Sequence, residues 1–163
     1  MKKQKGFSLI ELLIVVAIIL IIAAIAIPNL LRSKMAANEA SAVGSLRSIN
    51  TAEVTYAAAY PDTGYSLLLL NLGGAGCIAG TVATTANACL LDSVLATGNK
   101  SGYTFTAVGS ALGTTAVNNV FTSKAVPQGI GTTGQRGFGS DQSGVIRYTL
   151  TGVAPTAASS PLQ

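Results

Sequence analysis

A run of 21 residues near the N-terminus, Phe7 to Ile27, is the strongest constraint on how this chain can fold. All of its residues are apolar except Ser8 and Glu11, and it contains neither glycine nor proline. A helix of this length spans about 30 Å, which matches the hydrocarbon core of a bilayer. The run therefore predicts a membrane-spanning helix.

The positive charge of the chain is concentrated ahead of this run. Lys2, Lys3 and Lys5 precede it, and positive flanks of a membrane helix stay on the cytoplasmic side. The whole chain has a formal net charge of +4, but without these three lysines seven basic residues face six acidic ones. No basic stripe with interleaved aromatic residues remains, so nucleic acid is not a predicted partner.

The apolar run also indicates where the chain is processed. An ordinary signal peptide is cut after its apolar region, whereas here that region continues through Pro28 into a helical pattern. The predicted cleavage point therefore lies before the run, between Gly6 and Phe7. Cleavage there removes residues 1–6 as a leader and keeps the apolar segment on the mature protein.

The N-terminal sequence resembles that of a known family, and the matching stretch reads KGFSLIELLIVVAIILIIAAIAIPNL. It is similar to the N-terminus of type IV pilins and of the related pseudopilins of type II secretion, and most like a major type IV pilin. The resemblance rests on the spacing of Gly6, Phe7, Glu11 and Pro28. It implies that a membrane prepilin peptidase cuts after Gly6 and methylates the amine of Phe7, and that inner-membrane machinery then assembles the subunit.

Glu11 is a carboxylate inside an apolar helix, where it costs several kcal/mol unless it finds a partner. It lies one helical turn from the nitrogen of Phe7, which becomes charged after cleavage. In a bundle of identical helices, Glu11 of one subunit can meet the Phe7 amine of a neighbour and set the axial register, as the resemblance also implies. The alternative is that Glu11 lies at the lipid headgroups and is solvated.

Pro28 lacks an amide hydrogen, so the carbonyl of Ala24 loses its helical partner and the helix can kink. The resemblance implies that the stretch before such a proline can lose helicity inside a filament, which here is residues 23–27. A plain kink at the membrane boundary is the other interpretation.

Beyond Pro28 the pattern becomes amphipathic, and we predict one helix from about Ser8 to about Ala59. Residues 7–28 form the membrane or filament core, and residues 29–60 form an amphipathic half that packs on a globular domain. The apolar face comprises Leu31, Met35, Ala42, Leu46, Ile49, Tyr56 and Tyr60. Glu53 lies on the same face, where we expect a lysine or arginine of the domain to pair with it.

Residues 61–101 are predicted to form a connecting loop region between helix and sheet. It starts at the turn signal Pro61-Asp62-Thr63-Gly64 and includes a short helix over residues 87–96. Cys77 and Cys89 are the only cysteines, and the chain has no histidine. For a transported protein this pattern favours a disulfide over a metal site.

Residues 102–151 are predicted to form an antiparallel sheet, and residues 152–163 a flexible tail. Runs rich in threonine, valine and aromatic residues predict strands over 103–108, 120–126 and 145–150, with a shorter piece at 136–138 that pairs with the last strand. The predicted fold class is α+β, a long N-terminal helix whose C-terminal half packs on a small antiparallel sheet.

The sequence does not predict an enzyme, a cofactor or a metal site. Without histidine the commonest general base is absent, and the carboxylates are scattered. A calcium site at Asp141 is less favoured than an ordinary turn.

The resemblance implies that the chain is a structural subunit of a type IV pilus, which would serve adhesion, motility or uptake. The precursor would reside in the inner membrane and then polymerise with copies of itself into an extracellular filament. One alternative is the major pseudopilin of a type II secretion system, which would stay in the periplasm. Another is a binding protein held in the membrane by an uncleaved anchor.

Overall fold

The computed structural model describes residues 7–74, 77, 81–114 and 116–162. The chain divides into two units, one ending at Lys34 and one starting at Met35. The helix α1, Leu9–Ala59, contributes residues to both units. It confirms the predicted long helix. The helix ends two residues before Pro61, because a proline disfavours helical geometry in the residue that precedes it.

The part of α1 from Met35 onward buries one face against the rest of the second unit. The buried positions recur every three or four residues, as on one side of a 3.6-residue helix. They are Glu39, Ala42, Ser45, Leu46, Ile49, Ala52, Glu53 and Tyr56. Four of the seven predicted face residues are among them, while Leu31 is 52% exposed. The buried face therefore begins later than predicted and includes more polar side chains.

The sheet is a five-stranded antiparallel meander in the order β1-β2-β3-β4-β5. Its strands are Asn99–Lys100, Tyr103–Ser110, Val120–Pro127, Gly137–Asp141 and Arg147–Thr149. The predicted strands at 103–108 and 120–126 are confirmed as β2 and β3, and the piece at 136–138 is β4, which pairs with β5. The last predicted strand is shorter than expected, and β1 was not predicted.

The core lies between α1 and one face of this sheet. Strand β2 alternates strictly between buried and exposed residues, so Tyr103, Phe105 and Ala107 all face inward. They join Leu46 and Ile49 of α1 in a single apolar cluster. The α+β fold class is thereby confirmed.

The loop region between α1 and the sheet holds a 3₁₀ helix, Leu69–Leu72, and a short helix α2, Ser93–Ala96. Asp92 caps α2 by accepting a hydrogen bond from the amide of Leu95 at 2.8 Å. The predicted helix over 87–96 is confined to this last turn because Cys89 has a positive φ of 56°, a conformation that no right-handed helix contains. Cys89 forms the predicted disulfide with Cys77, with 5.3 Å between their Cα atoms.

The C-terminal segment differs from the predicted flexible tail. The amide of Tyr148 donates to the carbonyl of Ser160 at 3.0 Å, and the amide of Leu162 donates to the carbonyl of Ile146 at 2.7 Å. These bonds lie along β5, which would otherwise be an unpaired sheet edge. The segment therefore covers that edge by pairing with it.

Candidate functional site

The first unit exposes apolar side chains on every side of its helix. From Phe7 to Leu31 the large apolar side chains are between 45% and 77% exposed, with Val16 and Phe7 at the two limits. By length and composition, α1 is the one helix of the described residues that could cross a membrane. A continuous apolar surface of this kind marks contact with lipid or with other proteins.

Glu11 has a role at the start of α1 that the sequence reasoning missed. The amide of Ser8 donates to Oε2 of Glu11 at 2.9 Å, and the amide of Leu12 donates to the carbonyl of Ser8 at 3.2 Å. This is the glutamate half of a capping box, in which the third helical residue satisfies a free amide at the helix start. The spacing Ser-x-x-Glu at residues 8–11 was the signal that could have predicted it.

The other carboxylate oxygen of Glu11, Oε1, accepts no hydrogen bond from the described residues. The predicted pairing with the Phe7 amine of another subunit involves a second chain and stays a prediction. Gly6 lies outside the described residues, so cleavage after it also stays a prediction.

Pro28 lies inside α1, and the helix is continuous through residues 23–27. The side-chain amide of Asn29 donates to the carbonyl of Ile25, three residues before the proline, at 3.1 Å. The loss of helicity before Pro28 concerns the assembled state and stays a prediction.

Glu53 is fully buried, and its partner is not the predicted lysine or arginine. The amide of Ser66 donates to Oε2 at 2.9 Å, and the hydroxyl of Ser66 donates to Oε1 at 2.7 Å. Burial raises the pKa of the Glu53 carboxyl, and the two bonds from Ser66 oppose this only in part. The prediction failed because the loop that follows α1 returns to this face and supplies neutral donors.

Glu39 forms the ion pair that was expected of Glu53. Its Oε2 accepts from Nε of Arg136 at 2.7 Å, and its Oε1 accepts from the amides of Gln135 and Arg136 at 2.9 and 3.1 Å. Partial burial acts to raise the pKa of the Glu39 carboxyl, but these bonds outweigh it and the pKa lies below its usual value. Glu39 thus ties α1 to the segment before β4.

Arg136 is held from two further sides. Its guanidinium carbon lies 5.4 Å from the ring centre of Phe138 and 5.8 Å from that of Tyr148. Contacts at this distance are favourable cation–π interactions. The side chain therefore joins α1, β4 and β5 at one point.

No group of three or more metal-ligating side chains occurs among the residues that the structure describes. Oδ1 of Asp141 accepts from the amide and the hydroxyl of Ser143. This is the ordinary turn that the sequence favoured at this position.

An apolar helix that is exposed on all sides continues as an amphipathic half that packs on an antiparallel sheet. This architecture is consistent with a pilin-like α+β fold. Residues 1–27 match the family model described as the prokaryotic N-terminal methylation motif. This range contains Gly6, Phe7 and Glu11.

Two curated relatives match part of the chain. It is 62% identical over 39 residues to the type IV wide pilus major component PilA4 of Thermus thermophilus, covering 24% of this chain and 30% of that protein. It is 44% identical over 54 residues to the type IV major pilin protein PilA of Myxococcus xanthus, covering 33% of this chain and 24% of that protein.

The chain thus spans less than a third of the length of these relatives. No solved structure matches it significantly. The methylation motif and the two relatives together confirm the predicted resemblance to type IV pilins.

Proposed function

We propose that this chain is the structural subunit of a type IV pilus. The observation that carries the proposal is the exposed apolar stretch from Phe7 to Leu31, which overlaps the methylation motif of residues 1–27. The names of the two relatives support the same assignment, since both are major components of type IV pili. In this proposal the protein catalyses no reaction, and its function lies in polymerisation.

The helix serves two environments in turn. As a precursor anchor it lies in the inner membrane, and in the filament it packs against the helices of other subunits. Both surroundings are apolar, so the exchange gains little from the hydrophobic effect and depends on close side-chain packing. Contacts between different faces of identical subunits do not close on themselves and so generate an open helical polymer.

Glu11 is proposed to set the register of that packing. Its Oε1 meets the amine of Phe7 of a neighbouring subunit once the leader is removed. An unpaired carboxylate in the apolar filament core is costly, so displacements along the filament axis that break this pair are disfavoured.

The test is to produce the full chain in cells that have pilus assembly machinery, with and without the prepilin peptidase. With the peptidase we expect a mature N-terminus at Phe7 that carries a methyl group, seen by mass spectrometry, and long extracellular filaments, seen by electron microscopy. Without it we expect an intact leader and no filaments.

Three results would contradict the proposal. A leader that stays intact in the presence of the peptidase favours the uncleaved membrane anchor. Short periplasmic assemblies together with a secretion defect on deletion favour the pseudopilin. Correct processing without any polymer excludes a filament subunit of either kind.

A further inference from the structure

Two cations flank a glycine on the face of the sheet that points away from the core. In the pairing register, Gly139 of β4 lies between Lys124 of β3 and Arg147 of β5. The neighbouring pair, Ala125 and Phe138, is buried in the core. Because successive side chains alternate between the two faces of a sheet, Lys124 and Arg147 share the opposite face, with no side chain between them.

The C-terminal segment turns this gap into a pocket. A Cβ atom placed on Gly139 would lie 2.9 Å from Cγ of Pro155, so the segment crosses the sheet directly over the glycine. The hydroxyl of Thr149 donates to the carbonyl of Val153 and holds the start of that crossing. The resulting cavity has a volume of about 250 Å³, and its walls include Thr122, Lys124, Gly139, Asp141, Arg147 and Thr156.

The pocket contains donors without partners. Nε of Arg147 is buried and makes no hydrogen bond to any described residue, although the same guanidinium donates to the carbonyl of Ser159 at 3.0 Å. Lys124 forms neither an ion pair nor a hydrogen bond within the part of the chain that the structure describes. A buried charged donor that lacks a partner is unfavourable, and an anion in this cavity would lie beside both cationic side chains.

The remaining wall groups indicate which anion fits. Asp141 adds a negative charge and a strong acceptor, which disfavours a dianion such as phosphate but suits the hydroxyl groups of a sugar. The hydroxyls of Thr122 and Thr156 have no partners among the described residues and can hydrogen-bond to such a ligand. Pro155 and Ala157 supply an apolar wall for the carbon face of a sugar ring.

We propose that this pocket binds the carboxylate of an acidic sugar, such as a uronic acid unit of a polysaccharide. Lys124 and Arg147 bind the carboxylate, Asp141 accepts from ring hydroxyls, and the segment from Pro155 to Ala157 covers the ring. The pocket lies wholly within the second unit, so the inference does not depend on the proposed polymerisation.

The test uses the isotope-labelled full chain in detergent micelles, titrated with galacturonate at neutral pH and followed by NMR. We expect saturable shifts of the Gly139 amide. Galactose, which has the same ring without the carboxylate, should bind at least about tenfold more weakly, because charge-assisted bonds contribute most of the affinity. Inorganic phosphate should also bind more weakly than galacturonate.

Lys124→Gln should weaken galacturonate binding by about tenfold or more, and Lys34→Gln, which removes an exposed lysine outside the pocket, should leave it unchanged. The unperturbed spectrum of Lys124→Gln outside the pocket would show that the variant folds. Equal binding of galactose, tighter binding of phosphate, or equal effects of the two lysine variants would each overturn the proposal, as would the absence of saturable shifts at Gly139.

Discussion

Glu11 combines two properties that substitution can separate. It accepts a hydrogen bond at the start of α1, and it carries the charge proposed to bind another subunit. Glutamine also completes a capping box, so Glu11→Gln keeps the cap and removes the charge, whereas Glu11→Ala removes both.

We expect both Glu11 variants to lose surface filaments, because neither can form an ion pair with the amine of Phe7. The number of filaments per cell, counted by electron microscopy, measures this effect, and membrane levels of the subunit serve as the control. Filaments at the normal level in Glu11→Gln but not in Glu11→Ala would show that the cap matters and the charge does not.

Glu53 is predicted to make the second unit less stable as pH rises. Its folded pKa lies above the ordinary value of 4.5, so between pH 4.5 and that raised pKa the folded state binds more protons than the unfolded state. The Glu53 contribution to stability is therefore present at low pH and is lost as pH rises through the raised pKa.

Glu53→Gln should remove that part of the pH dependence. The amide oxygen of glutamine can accept from Ser66 and its amide nitrogen can donate to the Ser66 hydroxyl, so both contacts persist without a buried charge. Thermal unfolding of the full chain in micelles, followed by the near-UV circular dichroism of its tyrosines, should show a higher midpoint than wild type at pH 7. A lower midpoint at that pH would show that the buried charge is stabilising.

Glu39 is predicted to make the second unit less stable as pH falls. Its folded pKa lies below 4.5, so its contribution is present above pH 4.5 and is lost as pH falls through the lowered pKa. Glu39→Gln should therefore lower the unfolding midpoint at pH 7 and have less effect at pH 3, measured in the same micelles. A loss of equal size at both pH values would contradict an ionic contribution from Glu39.

At the scale of elements, the part of α1 from Met35 onward packs on the sheet and loops of its own unit through polar side chains as well as apolar ones. The side-chain amide of Asn50 donates to the hydroxyl of Ser140 at 2.8 Å and accepts from the hydroxyl of Ser123 at 3.2 Å. Together with Glu39 and Glu53, Asn50 fixes the position of the sheet and loops along the axis of α1. Apolar packing alone would tolerate small shifts that these directional bonds do not.

The contact between β2 and the loop after α1 depends on a glycine. The amide of Gly109 donates to the carbonyl of Ser66 at 2.7 Å, and a Cβ on Gly109 would lie 2.4 Å from that oxygen. Gly109→Ala should therefore displace Ser66 from Glu53 and cost about 1–3 kcal/mol.

Gly44→Ala is the matched control, since Gly44 is an exposed residue of α1 with nothing within 4 Å of a built Cβ. It should stabilise the helix by about 0.5–1 kcal/mol. Thermal unfolding should thus show shifts of opposite sign for the two alanine variants. Equal midpoint shifts of the two variants would show that Ser66 can be displaced without loss of stability.

At the scale of the whole molecule, the disulfide joins two points of the loop region between α1 and the sheet. Cys77 and Cys89 are separated by 12 residues, and closing a loop of this length stabilises a fold by about 3 kcal/mol, chiefly by restricting the unfolded chain. The double substitution of both cysteines to serine should lower stability by about this amount, measured by thermal unfolding without reductant. Reduction of the wild-type chain should reproduce the effect, and no change in either case would contradict it.

Most of the architecture was predictable because it follows from local patterns. The run from Phe7 to Ile27, the long helix and strands β2 and β3 all have clear periodicity or composition, and two cysteines without histidine indicate a disulfide. The extent of the helix at residues 87–96 was not predictable, because the positive φ of Cys89 is a property of the folded loop.

The side-chain partners were the least predictable part of the protein. The sequence marked Glu53 as an anomaly on an apolar face, but it could not show that Ser66 would supply the donors or that Arg136 would pair with Glu39. Such contacts join residues far apart in the chain, and only the packing of loops on the helix brings them together.

The sequence by itself determined that this chain has an apolar N-terminal helix bearing a methylation motif, because helix length, hydropathy and motif spacing are local properties. The tertiary structure alone decided the partners of the buried carboxylates, the pairing of the C-terminal segment with β5, and the pocket between Lys124 and Arg147. These features depend on strand register and on the course of loops, which are set by the free energy of the whole fold and not by any single segment.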